Sequence, residues 1–313
     1  MSIVRTDIPM TYDRAMQAIL ALTEKYPFLR SEVLDQTAFG RDLRTLVIGN
    51  GPRKVVFSAS HHANEWITTP VLLKFMEEFA EAIQTGGDIA GYDAKTLAEN
   101  VTIYALPMVD PDGVDLVTGA IEPDSFQYNF ARRLGQNYPE IPFPEGWKAN
   151  LLGVDLNLQY PAQWDMAKEI KFSQGFTVPG PRDFVGAGPL TQIEARRLHG
   201  YTQYLDPALV LALHSQGGEI YWKFLDIEVP GARELGEEMA RVSGYRLADT
   251  PYASGFAGYK DWFVQDYRRP GYTIEVGRGT NPLPLAQFEE IYADVKGILA
   301  VAAAGKAESQ AAP

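Results

Sequence analysis

The segment Ser58-Ala-Ser-His61-His62-Ala-Asn-Glu65-Trp66 sets an imidazole and a carboxylate, His62 and Glu65, three positions apart behind a strand-like apolar run. At that spacing the two side chains can converge on one Zn²⁺ ion, provided a second imidazole arrives from elsewhere. His214 is the candidate, standing at the end of Leu209-Val-Leu-Ala-Leu-His214. Two His and one Glu, with a fourth position left to water, is a ligand set of hydrolytic zinc sites. Such a site also needs a base for the water and groups that orient the scissile carbonyl. Glu275 is the base candidate, because it interrupts the otherwise apolar strand in Gly271-Tyr-Thr-Ile-Glu275-Val-Gly277. A buried acid there costs several kcal/mol unless it is paired or functional. The alternative is a surface-facing residue of an alternating strand. Of the other histidines, His61 points away from His62 if both lie on a strand and is read as structural. His199, within Arg196-Arg197-Leu198-His199, is read as a solvated helix residue.

The elements that must position these residues are legible as periodicities. Residues 10–25 read as a helix with Met16, Ile19 and Leu20 on one face, and Thr68–Ile83 as an amphipathic helix. Strand-like runs occur at Leu43–Ile48, Val55–Ala59 and Val101–Leu106, the last running into the turn-forming Pro107-Met-Val-Asp110-Pro-Asp-Gly113. Residues 120–190, rich in Pro, Gly and aromatics, read as long loops over a cleft. Beyond them come a helix at Gln192–Tyr204, strands at Leu209–Leu213 and Ile220–Phe224, a helix at Ala232–Val242, a strand at Tyr272–Val276 and a closing helix at Leu285–Ala304. Alternating strands and helices predict an α/β fold with a mixed, largely parallel twisted sheet flanked by helices. The ligands fall at the carboxyl ends of different strands, where α/β sheets place their sites. Both halves supply ligands and no linker divides them, which predicts one domain over residues 1–304 and a flexible tail over 305–313.

Five motifs occur in order: His62-x-x-Glu65, Gly153-Val-Asp155-Leu-Asn157, His214-Ser-Gln, Tyr252-Ala-Ser-Gly and Ile274-Glu275-Val-Gly277. This series resembles the zinc carboxypeptidase (M14) family. The fuller forms His61-His-Ala-Asn-Glu-Trp66, Asp155-Leu-Asn-Leu-Gln-Tyr160, His214-Ser-Gln-Gly-Gly-Glu-Ile-Tyr-Trp222 and Asn281-Pro-Leu-Pro284 are similar to bacterial γ-D-glutamyl-meso-diaminopimelate peptidases. The resemblance implies a metallopeptidase holding one Zn²⁺ ion on His62, Glu65 and His214. Glu275 would take a proton from the attacking water and return it to the leaving amine. Asn157 and Tyr252 would contact substrate, and Asp155 would fix the tautomer of His62 from behind. The implied reaction is hydrolysis of the γ-D-glutamyl–diamino-acid bond in cell-wall-derived peptides, with small muropeptides as substrates during peptidoglycan recycling. Two alternatives stay open: a carboxypeptidase or N-acyl amino acid amidohydrolase of the same fold, and a catalytically weak peptide-binding homologue.

Three departures bear on that choice. Leu158 stands where ordinary carboxypeptidases carry the arginine that grips a terminal carboxylate. That fits links whose carboxylates lie elsewhere, and Arg278 is the candidate to supply the missing charge. Leu152 stands where an oxyanion arginine is expected, leaving Lys148, Arg132 or Arg133 as substitutes. Asp110 replaces an asparagine and is expected to add negative charge near the cleft.

Composition sets the outer bounds. The 313 residues are 46 % hydrophobic, ample for a core, and no window approaches a membrane span. The absence of cysteine excludes disulfides and thiolate metal sites. A net charge of −12 argues against a nucleic-acid partner. The first residues lack the apolar centre of a signal peptide, which predicts a cytoplasmic location.

Overall fold

The computed structural model describes residues 2–305; beyond Gly305, the tail expected at 305–313 lies outside the described residues. Seven strands form the main sheet: β1 (Leu46–Gly49), β2 (Arg53–Ala59), β3 (Val101–Leu106), β4 (Leu209–His214), β5 (Glu219–Tyr221), β6 (Arg246–Ala248) and β7 (Gly271–Glu275). Their spatial order is β6-β5-β7-β4-β2-β3-β1. The four central strands β7, β4, β2 and β3 run parallel, while β1 pairs antiparallel with β3 and β5 antiparallel with β7. A mixed, largely parallel sheet is therefore the architecture, as expected.

The central strands are apolar without alternation because both faces of the sheet are covered. Val55 and Phe57 of β2, with Leu209, Leu211 and Leu213 of β4, pack on one face against the helices Tyr12–Lys25, Thr68–Thr85 and Phe288–Ala304. Val56, Val210 and Ala212, the residues between, face the helices Ile193–Leu205 and Tyr259–Tyr267 through Leu198, Trp262 and Phe263. No helix among the described residues is long and apolar enough to cross a membrane.

Several expectations need correction. The run read as one strand at Leu43–Ile48 is two, Asp42–Arg44 and Leu46–Gly49. The first pairs with Val33–Gln36 in a separate hairpin. The segment 107–113 is not all turn, because the Asp110 side chain accepts from Gly113 N–H at 3.0 Å and starts a helix over Pro111–Val117. Residues 120–190 are not only loops, since they hold the helices Phe126–Gly135 and Trp164–Ser173. The helix Tyr259–Tyr267 and strand β6 had no counterpart in the sequence reading.

Candidate active site

The chain leaves β2 at Ala59, turns through Ser60 and presents His62 just before a short helical turn, Ala63–Glu65. That turn is held from both sides. The Ser60 N–H donates to Thr68 Oγ1 at 2.9 Å, and the Ala63 N–H donates to the Lys148 carbonyl at 3.1 Å. His214 ends β4 and lies in register beside Glu275, which ends β7. Two parallel neighbours that stop together thus deliver an imidazole and a carboxylate to the same end of the sheet.

The donor atoms converge. His62 Nδ1 lies 3.0 Å from Glu65 Oε1, and His214 Nδ1 lies 3.0 Å from Glu65 Oε2 and 3.1 Å from His62 Nδ1. All three residues are buried, and their ligand atoms lie within 4.8 Å of one another. His62 Nε2 donates to Asp155 Oδ1 at 3.1 Å, which leaves the Nδ1 lone pair aimed at the shared point. Two imidazole nitrogens and a carboxylate converging on one point are a poor arrangement for neutral rings and a good one for a cation. The donor set fits zinc, which takes nitrogen and oxygen ligands and keeps an open position in hydrolytic sites.

The charges around this point are paired. Burial alone would raise Glu65, but the charges of His62 and Lys148 and the hydrogen bond from His214 hold its carboxyl well below the usual range. Lys148 Nζ stands 3.4 Å from Glu65 Oε1, and the Ser215 N–H donates to Glu65 Oε2 at 3.0 Å. Asp155 is likewise held below its ordinary value: its burial is outweighed by the charge and hydrogen bond of His62 and the charge of Lys148. Glu275 is different. Burial, then the negative charge of Glu65, pushes its carboxyl up to about 8.

A cavity of about 760 Å³ opens over these groups, lined by His62, Lys148, Asp155, Asn157, His214 and Glu275 among others. Asn157 is fixed by accepting from the Tyr259 N–H on Oδ1 at 3.0 Å. Leu158, in the position of the absent arginine, is buried against the apolar layer behind the cavity.

Other expected residues fall elsewhere. Arg278 is exposed and lies beside Gly218, while the cavity lining passes through its neighbours Gly279, Thr280 and Asn281. Tyr252 is 66 % exposed, its ring edge-on to Phe256 at 5.2 Å, while its neighbours Thr250, Pro251 and Ser254 reach the lining. Arg132 and Arg133 sit in the last turn of Phe126–Gly135 outside the lining, so of the three candidate cations Lys148 is the one that lines the cavity. Asp110 is not a charge in the cleft: it is fully buried, and burial with the nearby Glu194 charge pushes its carboxyl well up, towards the neutral form. His61 is buried and stacked on His214 at 5.4 Å, with Nε2 3.2 Å from the Tyr160 hydroxyl. His199 is half-buried rather than solvated, because its ring rests on Trp262 at 4.1 Å.

Sequence reasoning missed Lys171, Arg182, Asp183, Lys260 and Asp261, all of which line the cavity. Lys260 and Asp261 carried one signal, an adjacent pair of opposite charges just ahead of the apolar Trp262-Phe-Val264. Arg182 and Asp183 carried none.

Comparison with known proteins supplies the lineage. The zinc carboxypeptidase (M14) family model matches residues 15–296. The chain is 41 % identical over 287 residues to gamma-D-glutamyl-L-diamino acid endopeptidase 1 of Lysinibacillus sphaericus, covering 92 % of this chain and 70 % of that protein. It is 36 % identical to the uncharacterized protein YqgT of Bacillus subtilis (strain 168), covering 90 % of this chain and 73 % of the relative. Among solved structures, carboxypeptidase A from Helicoverpa armigera superposes with a TM-score of 0.70 at 17 % identity, covering 98 % of this chain and 76 % of that one. The family model spans both imidazoles, both carboxylates and the sheet that aligns them, and the chain belongs to the zinc carboxypeptidase family of metallopeptidases.

Proposed function

We propose that this chain hydrolyses the γ-D-glutamyl–diamino-acid bond of cell-wall-derived peptides, with one Zn²⁺ ion held by His62, Glu65 and His214. The observation that carries the substrate is the 41 % identity, across most of both chains, to a gamma-D-glutamyl-L-diamino acid endopeptidase. Leu158 agrees with it: a buried apolar side chain grips no terminal carboxylate, which argues against a general carboxypeptidase. Small soluble muropeptides of the cytoplasm are the substrates this reading favours.

His62, Glu65 and His214 would hold the zinc ion, which when bound would supply Lewis acidity to the scissile carbonyl and to water. Glu275 takes the proton of the attacking water and passes it to the departing amine. Burial first, and the negative charge of Glu65 second, raise its carboxyl above the ordinary range, which helps it hold that proton until the amine departs. Lys148 presents its ammonium to the oxygen that becomes negative in the transition state. Asp155 keeps the proton of His62 on Nε2, away from the ligand nitrogen. Asn157 is oriented by the Tyr259 amide to meet the substrate. A base aligned with the triad in one cavity also speaks against a pure peptide-binding module.

The test is turnover of zinc-loaded protein on L-Ala-γ-D-Glu-meso-diaminopimelate, followed by mass spectrometry, beside Glu275→Gln. Wild type is expected to release diaminopimelate, and the variant to lose on the order of 10³–10⁴ in rate with its zinc content intact. Release of a C-terminal residue from ordinary peptides at comparable rate would sink the reading.

A further inference from the structure

An arginine faces the cavity from another loop than the Asp-x-Asn motif. Arg182 lines the cavity and is half-buried. Its Nε donates to Asp183 Oδ2 at 2.7 Å, and Asp183 Oδ1 is held in turn by Lys171 Nζ at 2.6 Å. One edge of the guanidinium is therefore anchored, while its two terminal nitrogens have no hydrogen bond among the described residues. The other cations of the cavity are committed. Lys260 Nζ reaches the Lys223 carbonyl, Thr250 Oγ1 and Asp261, Lys171 reaches Asp183, and Lys148 reaches Glu65.

The loop that presents Arg182 is pinned on both sides. The N–H groups of Lys148 and Ala149 both donate to the Pro181 carbonyl, at 2.7 and 2.8 Å. Gly180 N–H donates to the Gly153 carbonyl at 3.1 Å, Asp183 N–H to Asp155 Oδ2 at 3.3 Å, and Asp155 N–H to the Phe184 carbonyl at 2.9 Å. Gly153 is required there: its φ is +77°, and a Cβ would stand 2.7 Å from Gly180 N. A planar fork with free donors, preorganised at the mouth of a peptidase site, is suited to a carboxylate.

We propose that Arg182, presented by the 179–184 loop, is the substrate-carboxylate anchor of this enzyme. The inference rests on the γ-D-glutamyl–diamino-acid reading, which offers two carboxylates near the scissile bond. One is the α-carboxylate of D-glutamate, left free by the γ-linkage, on the acyl side. The other is the α-carboxylate of the diamino acid, beside the departing amine. Asp183 does not repel either one, because Lys171 and Arg182 both neutralise it.

The experiment is calorimetric binding to zinc-loaded Glu275→Gln protein, with Arg182 intact or changed to Met or Lys. The probes are L-Ala-γ-D-Glu-meso-diaminopimelate and two mono-amides, one at the glutamate α-carboxyl and one at the diamino-acid α-carboxyl. Arg182→Met is expected to weaken the tripeptide roughly 10- to 100-fold while leaving one of the amides unaffected; that amide identifies the carboxylate. Arg182→Lys keeps the partner of Asp183 but not the fork, and should recover only part of the loss. Equal weakening of all three ligands, or of none, overturns the anchor while the substrate stands. A tripeptide that fails to bind when Arg182 is intact overturns the substrate and the anchor together.

Discussion

The two sides of the cavity are built by different physics. The floor is sheet: His62 follows β2, His214 ends β4, Glu275 ends β7, and the register of parallel strands fixes their spacing. The opposite wall, from Lys148 to Glu194, has no strand in it. It is held by backbone bonds between loops, as from Lys148 and Ala149 to Pro181, and by partly buried charges in chains such as Lys171–Asp183–Arg182. The floor carries the groups that any hydrolysis at this metal site requires. The wall carries the groups that face the rest of a substrate, and it can change by loop exchange without disturbing the sheet.

Removing the charge of Lys148 tests this division severely, because this wall residue pairs with the floor carboxylate Glu65 at 3.4 Å. Lys148→Met is expected to lower kcat by about 10²–10³ with little change in KM, the mark of a donor used in the transition state. Steady-state kinetics beside a zinc assay checks it. A variant that loses zinc instead would show that Lys148 serves Glu65 and belongs to the floor.

The same division decides what was legible in the sequence. Leu209–Leu213 announces itself as a continuous apolar run and Val101–Leu106 as a nearly continuous one, and His214 and Glu275 stand out because they break or end such runs. Once the strands are placed, parallel pairing brings the ligands together with little further information. The wall offers no such pattern. Arg182 lies far along the chain from both Lys148 and Asp155, and what joins them is main-chain hydrogen bonding, to which side-chain identity contributes little apart from Gly153. The helix Tyr259–Tyr267 was missed because it buries the charged Lys260 and Asp261 along with Trp262 and Phe263, so polarity does not follow exposure along it and gives no clear period. That Arg278 and Tyr252 lie outside the cavity lining was illegible for a related reason: proximity in sequence to a strand end says nothing about which way a loop residue turns.

A second difference between the regions is their response to pH. Glu194, at the start of the helix Ile193–Leu205, accepts from Asn150 Nδ2 at 3.3 Å, and Asn150 Oδ1 accepts from the Val154 N–H just before Asp155. Burial pushes the Glu194 carboxyl up to about 7, from an ordinary 4.5. Below pH 4.5 the folded and unfolded chains both hold this proton, and it affects nothing. Between 4.5 and 7 the unfolded chain releases it first, the native state binds more protons, and stability falls as pH rises, levelling off above 7. The full difference corresponds to roughly 3 kcal/mol. Glu194→Gln should therefore stabilise the zinc-loaded protein by up to that amount at pH 8 and by nothing near pH 4, as read by urea unfolding. An equal gain at both pH values would assign the effect to packing instead.

Asp155 is where the two regions meet. Its Oδ1 accepts from His62 Nε2, a floor contact, and its Oδ2 accepts from the Asp183 N–H, a contact to the loop that carries Arg182. Asp155→Asn keeps a carbonyl for His62 but removes the charge, and it turns an amide donor towards the Asp183 N–H. Loss of the charge should weaken zinc about 10- to 100-fold, measured by competition with a chelator. The donor clash should loosen the loop, so that KM for the tripeptide rises even at saturating zinc. If KM stays fixed once zinc is restored, the wall does not depend on Asp155 and the two regions are mechanically separate. If both change, one carboxylate couples metal affinity to substrate grip, and an exchange of the wall must preserve Asp155 to keep its metal.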